Sequence, residues 1–555
     1  RQMCIRDRAG DTFDELKKDA RNGYFEKLIK EYLLDNNHKS IISLVPEYGL
    51  EKEKEQKEAD KLAEYKSTLT NDELEELVKK TKELKEYQDT PSSQEDLEKI
   101  PMLELSDIKR EPAKDYNDVK SVDGIKIVHH NIFTNKIAYI NMSFDTKCVP
   151  DELIPYMGLL GSTLSLMDTK NYTYPELTNE ININCGGLAT GTALYSDKVD
   201  FSKNTIVYEV KSKALYEKVP FVLGMMEEIM YNTRFDDYKR LKEIIARIKS
   251  RLEASLMGQG HSIAMLECCA QFSESAYYSD ILRGYKYYEF IKKLDEEFEQ
   301  NKTQIVDKLN KLVGYIFNKD NVIVSLTADD EGYDCFVKAL SAKSCNIKDE
   351  HYNTAVRSFI PVNVKTGYTS ASQVQYVARC GNFVKDGYKY TGALKVLKVI
   401  FSYDYLWINV RVKGGAYGCM SGSSRNGDFY MVSYRDPNLE KTNDIYEGAA
   451  DYIRNFNVSR RDMVKFIIGT IGEIDAPLTP SAIGSRSFTH YMCNCTEDML
   501  RKDREEVLDA TVESIRELAP LIESAVGQNY LCVVGNQKQI NEAADLFDEI
   551  KPLIG

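Results

Sequence analysis

The sequence predicts an α+β protein in which one plan of strands and helices is used twice, preceded by a helical hairpin and the tail of a further α+β unit. Three observations carry this reading. First, short apolar segments bounded by Asn, Asp or polar turns recur at His38–Pro46, Asp320–Ala328 and Gln528–Gly535, the pattern of buried closing strands. Second, the later two are each followed by a helical segment, Tyr333–Leu340 and Gln539–Leu546, and Val322 and Tyr530 lie 208 residues apart, which sets the length of the repeat. Third, antiparallel strand pairs alternate with helical blocks, the arrangement that lays helices on a sheet face.

Taken in order, residues 1–50 read as the tail of a unit whose body would precede Arg1, since few residues stand before the first closing strand. Residues 51–115 read as a helical hairpin and extended linker. Leu62, Tyr65 and Leu69 form one apolar stripe, and Leu74, Leu77, Val78 and Leu84 another. Between them Thr70-Asn-Asp-Glu73 is a capping box. Pro91, Pro101 and Pro112 keep the linker extended. The unit at 116–345 opens with strands 125–133 and 137–144, followed by helices 152–167 and 174–184. Strands 188–195 and 205–210 come next, and long helices fill 215–317. The unit at 346–555 repeats the plan with strand 373–383 and helix 390–405.

Composition removes several classes of function. With 73 Lys and Arg against 87 Asp and Glu the net charge is −14, so no basic face for nucleic acid is expected. No apolar run reaches the length of a membrane span, so no membrane partner is expected either. Twelve cysteines without a CxxC pair read as reduced thiols, which points to a cytoplasmic location.

The six histidines form neither HxxEH nor HxxxH, so no helix offers zinc two imidazoles on one face. His129 and His130 would point to opposite sides of a strand. His490, Cys493 and Cys495 are the one conceivable soft-metal set and lack a fourth ligand, so no metal site is expected. No nucleophile elbow or phosphate loop occurs, and Gly422–Gly427 reads as a hairpin turn.

The segment that stands out runs from Leu406 to Ser421, followed by Phe429–Asn438. A helix ends in Arg411, Gly414 and Gly415 let backbone approach closely, and Tyr417 begins a strand. A fixed cationic fork and a phenolic donor set beside a peptide could hold a carbonyl and stabilise its developing oxyanion. The same spacing also fits a glycine-rich turn whose Arg and Tyr are ordinary surface residues.

Val410-Arg-Val-Lys-Gly-Gly-Ala-Tyr-Gly418 with Ser433-Tyr-Arg-Asp-Pro-Asn438 resembles the carboxy-terminal half of the M16 (pitrilysin) metallopeptidases, within subfamily C, the branch of presequence-protease and falcilysin-like enzymes. Further similar stretches are Tyr32–His38, Phe144–Pro155, Asn184–Gly187 and Ile468–Asp475, so the resemblance runs from about Phe25 onward. It implies M16-type α+β domains: the end of domain two, the hairpin, domain three and domain four. Family members close two such halves around a peptide-holding chamber. Zinc is held in domain one by HxxEH and a later Glu, and that motif is absent here. By position, Arg411 and Tyr417 match the pair that domain four contributes to catalysis and substrate binding, with Gly414 and Gly415 beside them.

The resemblance therefore implies the substrate-binding half of a zinc endopeptidase acting on unfolded peptides, inactive or nearly so alone. Its partner would be a zinc-bearing amino-terminal half, in cis or in trans. The alternative it leaves is a non-catalytic M16-like scaffold or partner subunit.

Overall fold

A computed structural model describes residues 2–45, 47–90, 92–101, 103–342 and 347–554; Pro46, Pro91 and the boundary drawn at 345/346 lie outside the described residues. The chain divides into two units at Pro101/Met102.

The first unit is helical. Helices span Gln2–Arg21 and Tyr24–Leu28, the latter running into wider π-helical turns over Ile29–Leu34. Helices Leu50–Thr68 and Asn71–Asp89 follow. They are separated by the capping box seen in the sequence: Thr70 Oγ1 accepts from the Glu73 N–H, and Glu73 accepts from the Thr70 N–H. The closing strand expected at His38–Pro46 does not form over its described part. Residues 38–45 are irregular, and Ile41, Ile42 and Leu44 are exposed. A strand exists only through its ladder, and no described segment pairs with this one.

The described residues of the second unit form twelve strands in two six-stranded sheets. The first sheet uses β1 (Asp118–Val122), β2 (Ile125–Asn131), β3 (Ile137–Asp145), β4 (Leu188–Ser196), β5 (Asn204–Leu215) and β6 (Val322–Ala328), in spatial order β1-β2-β6-β3-β5-β4. The second uses β7 (Thr366–Ser370), β8 (Tyr376–Asn382), β9 (Gly418–Ser423), β10 (Asp428–Tyr434), β11 (Tyr530–Asn536) and β12 (Glu549–Pro552), in order β12-β7-β11-β8-β10-β9. Removing the outer strands β1 and β12 leaves one topology twice. A closing strand (β6 or β11) lies parallel to the first strand of its repeat, β2 or β7, and antiparallel to the second, β3 or β8. The two faces differ across each sheet: Met142 is flanked by Val324 and Val210 on the face under the repeat's own helices, and Ala378 by Cys532 and Val432 on the face opposite.

Each sheet buries one face under its own helices. In the first repeat Ile140, Met142 and Phe144 pack with Leu160, Met226, Ile244 and Leu309. In the second Val377, Phe429 and Met431 pack with Leu397, Ile467 and Ile522. The other faces are covered by an exchange of helices between repeats. Helix Gly260–Cys269 of the first lies on β8, β10 and β11, and helix Pro480–Met492 of the second lies on β6 and β2. A glycine on each helix makes the approach possible: a Cβ on Gly260 would stand 2.3 Å from the Tyr376 ring and one on Gly484 1.9 Å from Thr327 Oγ1. His129 and His130 accordingly point to opposite faces, His129 against Tyr333 and His130 towards Phe488 of the exchanged helix.

The linker read as extended is docked beyond residue 102. Leu105 and Ile108 pack on the second core, Arg110 pairs with Asp509 at 2.6 Å, and Arg504 Nε donates to the Lys109 carbonyl. Farther along, Tyr116 N–H donates to Ser487 Oγ on the exchanged helix. Among the described residues no helix is long and apolar enough to cross a membrane.

Candidate functional site

The site predicted from sequence lies at the β9 edge of the second sheet. Its helix begins at Ala393–Ile400, the sequence Ala-Leu-Lys-Val-Leu-Lys-Val-Ile placing Leu394, Val396, Leu397 and Ile400 in the core. It continues in wider π-helical turns over Phe401–Tyr405 and Trp407–Val412, so the helix expected to end in Arg411 runs one residue beyond it. These turns carry Trp407 and Arg411 on one face, four residues apart, and the guanidinium lies 3.9 Å from the centroid of the indole.

The helix then stops at the paired glycines. The Gly415 N–H donates to the Arg411 carbonyl at 2.8 Å, and the Ala416 N–H to the Val410 carbonyl at 3.1 Å. Gly415 holds φ +83°, the left-handed region, and a Cβ on Gly414 would stand 2.4 Å from the Val410 carbonyl oxygen. The glycines therefore serve the turn itself, and through it they deliver Tyr417 to the head of β9. Gly186-Gly187 makes the equivalent turn ahead of β4 in the first repeat, with Gly187 at φ +111°.

Arg411 and Tyr417 are thus brought together, the guanidinium 5.8 Å from the phenol ring. Tyr417 is 66% exposed. Its ring meets Tyr434 edge-on at 5.8 Å, and Tyr434 in turn packs on Tyr376 and on His261 of the exchanged helix. The backbone of Tyr417 is fixed by its N–H, which donates to the Arg435 carbonyl at 3.2 Å. The site therefore presents a cation and a phenol side by side on an aromatic bed. Both can donate hydrogen bonds to a carbonyl oxygen.

Sequence reasoning missed Trp407, although its spacing of four from Arg411 on a helix was a usable signal. It also left Tyr434 unassigned within the Ser433–Asn438 motif, because the Tyr417 contact crosses between two strands. The hairpin turn expected at Gly422–Gly427 joins β9 to β10, with Gly422 and Ser423 still paired in the ladder and the turn itself at residues 424–427.

The residues present do not fit a zinc centre. Among the described residues no three His, Cys, Asp or Glu side chains converge as a metal site. His490 Nδ1 is paired with Asp115 at 2.6 Å, and Cys493 is packed with Val128, Tyr195, Val207 and Phe488. Ten cysteines, from Cys148 to Cys335 and from Cys380 to Cys532, are free thiols.

Comparison with known proteins gives a consistent family. A family model for the peptidase M16 subfamily C associated region matches residues 44–294, and one described as "PreP C-terminal domain" matches residues 367–536. Protein HypA of Clostridium perfringens is 39% identical over 548 residues, covering 98% of this chain and 56% of that protein. Presequence protease 1, chloroplastic/mitochondrial, of Arabidopsis thaliana is 29% identical, covering 97% of this chain and 50% of that protein. The chain therefore spans about half the length of these curated relatives. Among solved structures, a peptidase M16 inactive domain from Pseudomonas fluorescens superposes with a TM-score of 0.53 at 14% identity, over 79% of this chain and 98% of that one. A conserved protein from Enterococcus faecalis V583 superposes with a TM-score of 0.56 at 13% identity, over 75% of this chain and 97% of that one. These likenesses establish the α+β fold.

Proposed function

The chain belongs to subfamily C of the M16 peptidases, in the part that corresponds to the carboxy-terminal half of its presequence-protease relatives, and on that premise we propose that it is the peptide-holding half of a zinc endopeptidase that degrades unfolded oligopeptides. Presequences are the substrates named for several relatives and belong to the proposed class. The reading assigns zinc and the water-activating base to residues outside this chain, in the same polypeptide or in a partner, and routes no step through a metal held here.

The observation that supports it is the pairing of Arg411 and Tyr417 on an exposed aromatic bed at a sheet edge. A peptide carbonyl there would accept from the guanidinium and from the phenol. If its carbon is attacked, the charge gathering on oxygen meets two donors already in place, and such preorganised donors stabilise a tetrahedral intermediate most. Gly414 and Gly415 add no side chain to obstruct the approach of a peptide backbone.

Trp407, the chain's one tryptophan, makes the reading testable on this polypeptide alone. Titration with a Trp-free unstructured peptide should change Trp407 emission saturably, and Arg411→Ala with Tyr417→Phe should weaken that response. A flat titration in the parent, or unchanged affinity in the double variant, would sink the reading.

A further inference from the structure

Tyr417 is too exposed for packing to fix its ring, so the turn beneath it must set where the hydroxyl goes. The amide, carbonyl and conformational constraints on that turn lead to the second motif, Ser433–Asn438. Each of its last five residues meets the glycine turn or roots the motif. Tyr434 lies against the Tyr417 ring. The Arg435 carbonyl takes the Tyr417 N–H, and Arg435 is held at φ +49°, a conformation a non-glycine residue rarely adopts. Pro437 Cγ would stand 3.4 Å from a Cβ on Gly415. Asn438 Nδ2 donates to the Gly414 carbonyl at 2.6 Å.

Asp436 anchors this bracket. It is fully buried, and its Oδ1 accepts from the Asn438 N–H at 2.9 Å while Oδ2 accepts from the Thr442 hydroxyl at 2.7 Å. Its backbone exchanges both hydrogen bonds with Gln375, just ahead of β8, at 2.7 and 2.9 Å. The carboxylate is thus tied to the sheet and to helix Glu440–Glu447, and it passes that rigidity to Asn438. Gly414 has no other hydrogen-bond partner for its carbonyl among the described residues. Loss of the Asn438 amide would leave that carbonyl to water and free the turn to rotate about its two glycines.

We propose that Asn438, rooted on Asp436, is a positioning residue that holds the Gly414-Gly415 turn so that Tyr417 and Arg411 face the peptide together. The inference rests on the reading of Arg411 and Tyr417 as the peptide-holding pair. It also gives the two sequence motifs one physical purpose, since the first supplies the donors and the second fixes them. Asn438 touches no peptide itself and acts through the turn.

Asn438→Asp is the sharpest test, because it keeps the shape and replaces the amide donor with an acceptor facing the Gly414 carbonyl. Asn438→Ala provides a second variant should the first fold poorly, with thermal unfolding monitored for both. Two readouts are taken on the full chain. Acrylamide quenching of Trp407 without peptide reports whether the turn has loosened, and titration with a Trp-free unstructured peptide reports holding. The proposal expects easier quenching, peptide affinity about tenfold weaker, and little change in unfolding temperature. In an Arg411→Ala, Tyr417→Phe background, adding Asn438→Asp should cost nothing further, because its effect passes through that pair.

Unchanged quenching in both Asn438 variants would overturn the proposal whatever the peptide does. So would an equal further loss of affinity in the double-variant background, which would mark Asn438 as acting independently. Easier quenching with unchanged affinity would confine Asn438 to holding the turn and overturn its role in peptide positioning. If in addition Arg411→Ala, Tyr417→Phe binds like the parent, the reading of the pair itself has failed.

Discussion

The guanidinium of Arg411 lies 3.9 Å from the centroid of Trp407 and 5.8 Å from that of Tyr417, so one cation is held between two aromatic rings at the head of an edge strand. A planar, weakly hydrated guanidinium can lie on an indole and still present N–H groups to a carbonyl. An ammonium in the same place would be a hydrated point charge with no fork. Arg411→Lys should therefore behave more like Arg411→Ala than like the parent, despite keeping the charge. The contact at an exposed site is worth about 0.5–1 kcal/mol, so peptide affinity should fall about two- to fivefold in the Lys variant. Trp407 emission measured across the three proteins checks this, and a Lys variant matching the parent would refute it.

Tyr417→Phe separates chemistry from stability. The ring is 66% exposed, so removing its hydroxyl should leave the unfolding free energy within about 0.5 kcal/mol of the parent. In the complete enzyme the same change removes one donor from the proposed oxyanion site, and such losses cost about 10²–10³ in kcat. Steady-state kinetics beside chemical denaturation reads both at once. An unchanged kcat would remove Tyr417 from the reaction.

The exchanged helices should be intolerant of a single methyl. A Cβ on Gly484 would meet Thr327 Oγ1 at 1.9 Å, and one on Gly260 the Tyr376 ring at 2.3 Å, both deep in the seam between repeats. Separations that short force the helix off its sheet. Gly484→Ala and Gly260→Ala should each destabilise by about 1–3 kcal/mol, although alanine is the better helix former. Urea denaturation provides the measurement, and a stability gain in either variant would mean the helices are not seated so closely.

The sequence was informative wherever the decisive interactions are local. Helix Tyr174–Asn184 has the bounds expected of it, with Thr173 and Glu176 closing its capping box. The strands expected at 125–133 and 137–144 form as Ile125–Asn131 and Ile137–Asp145, from their runs of Ile, Val and alternating polar residues, but β6 lies between them. It was uninformative where a neighbour decides. Residues 38–45 have the composition of a strand and no ladder partner among the described residues, so they remain irregular. The exchange of helices could not be read either, because Gly260 and Gly484 look like unremarkable helical residues until Tyr376 and Thr327 are placed opposite them. In the site, Arg411 and Tyr417 were legible as spacing along one segment. The Asn438 amide on the Gly414 carbonyl was not, because it joins two motifs through a hydrogen bond that no pattern records.

His130 sets the acid limit of the seam. Its ring is fully buried between β6 and the exchanged helix, and desolvation pushes its pKa down to about 4 against the opposing hydrogen bond from its Nδ1–H to the Tyr116 carbonyl. With Nδ1 donating, Nε2 is the acceptor for the Ser325 hydroxyl at 2.9 Å, so the neutral ring is fully satisfied. In the unfolded chain the same imidazole takes a proton near its ordinary value of about 6.5. Between those two values the unfolded state binds a proton that the folded state refuses. The stability His130 contributes is therefore complete above about pH 6.5 and declines as pH falls towards 4, by up to about 1.4 kcal/mol per pH unit. Asp280 works in the opposite sense: burial beside Glu267 pushes its carboxyl up to about 8, so its share of stability is lost as pH rises towards that value. His130→Asn preserves a donor to Tyr116 while removing the titration, so its stability between pH 4 and 6.5 should change less steeply than the parent's. Equal slopes by urea denaturation across that range would show that the imidazole does not govern the acid limb.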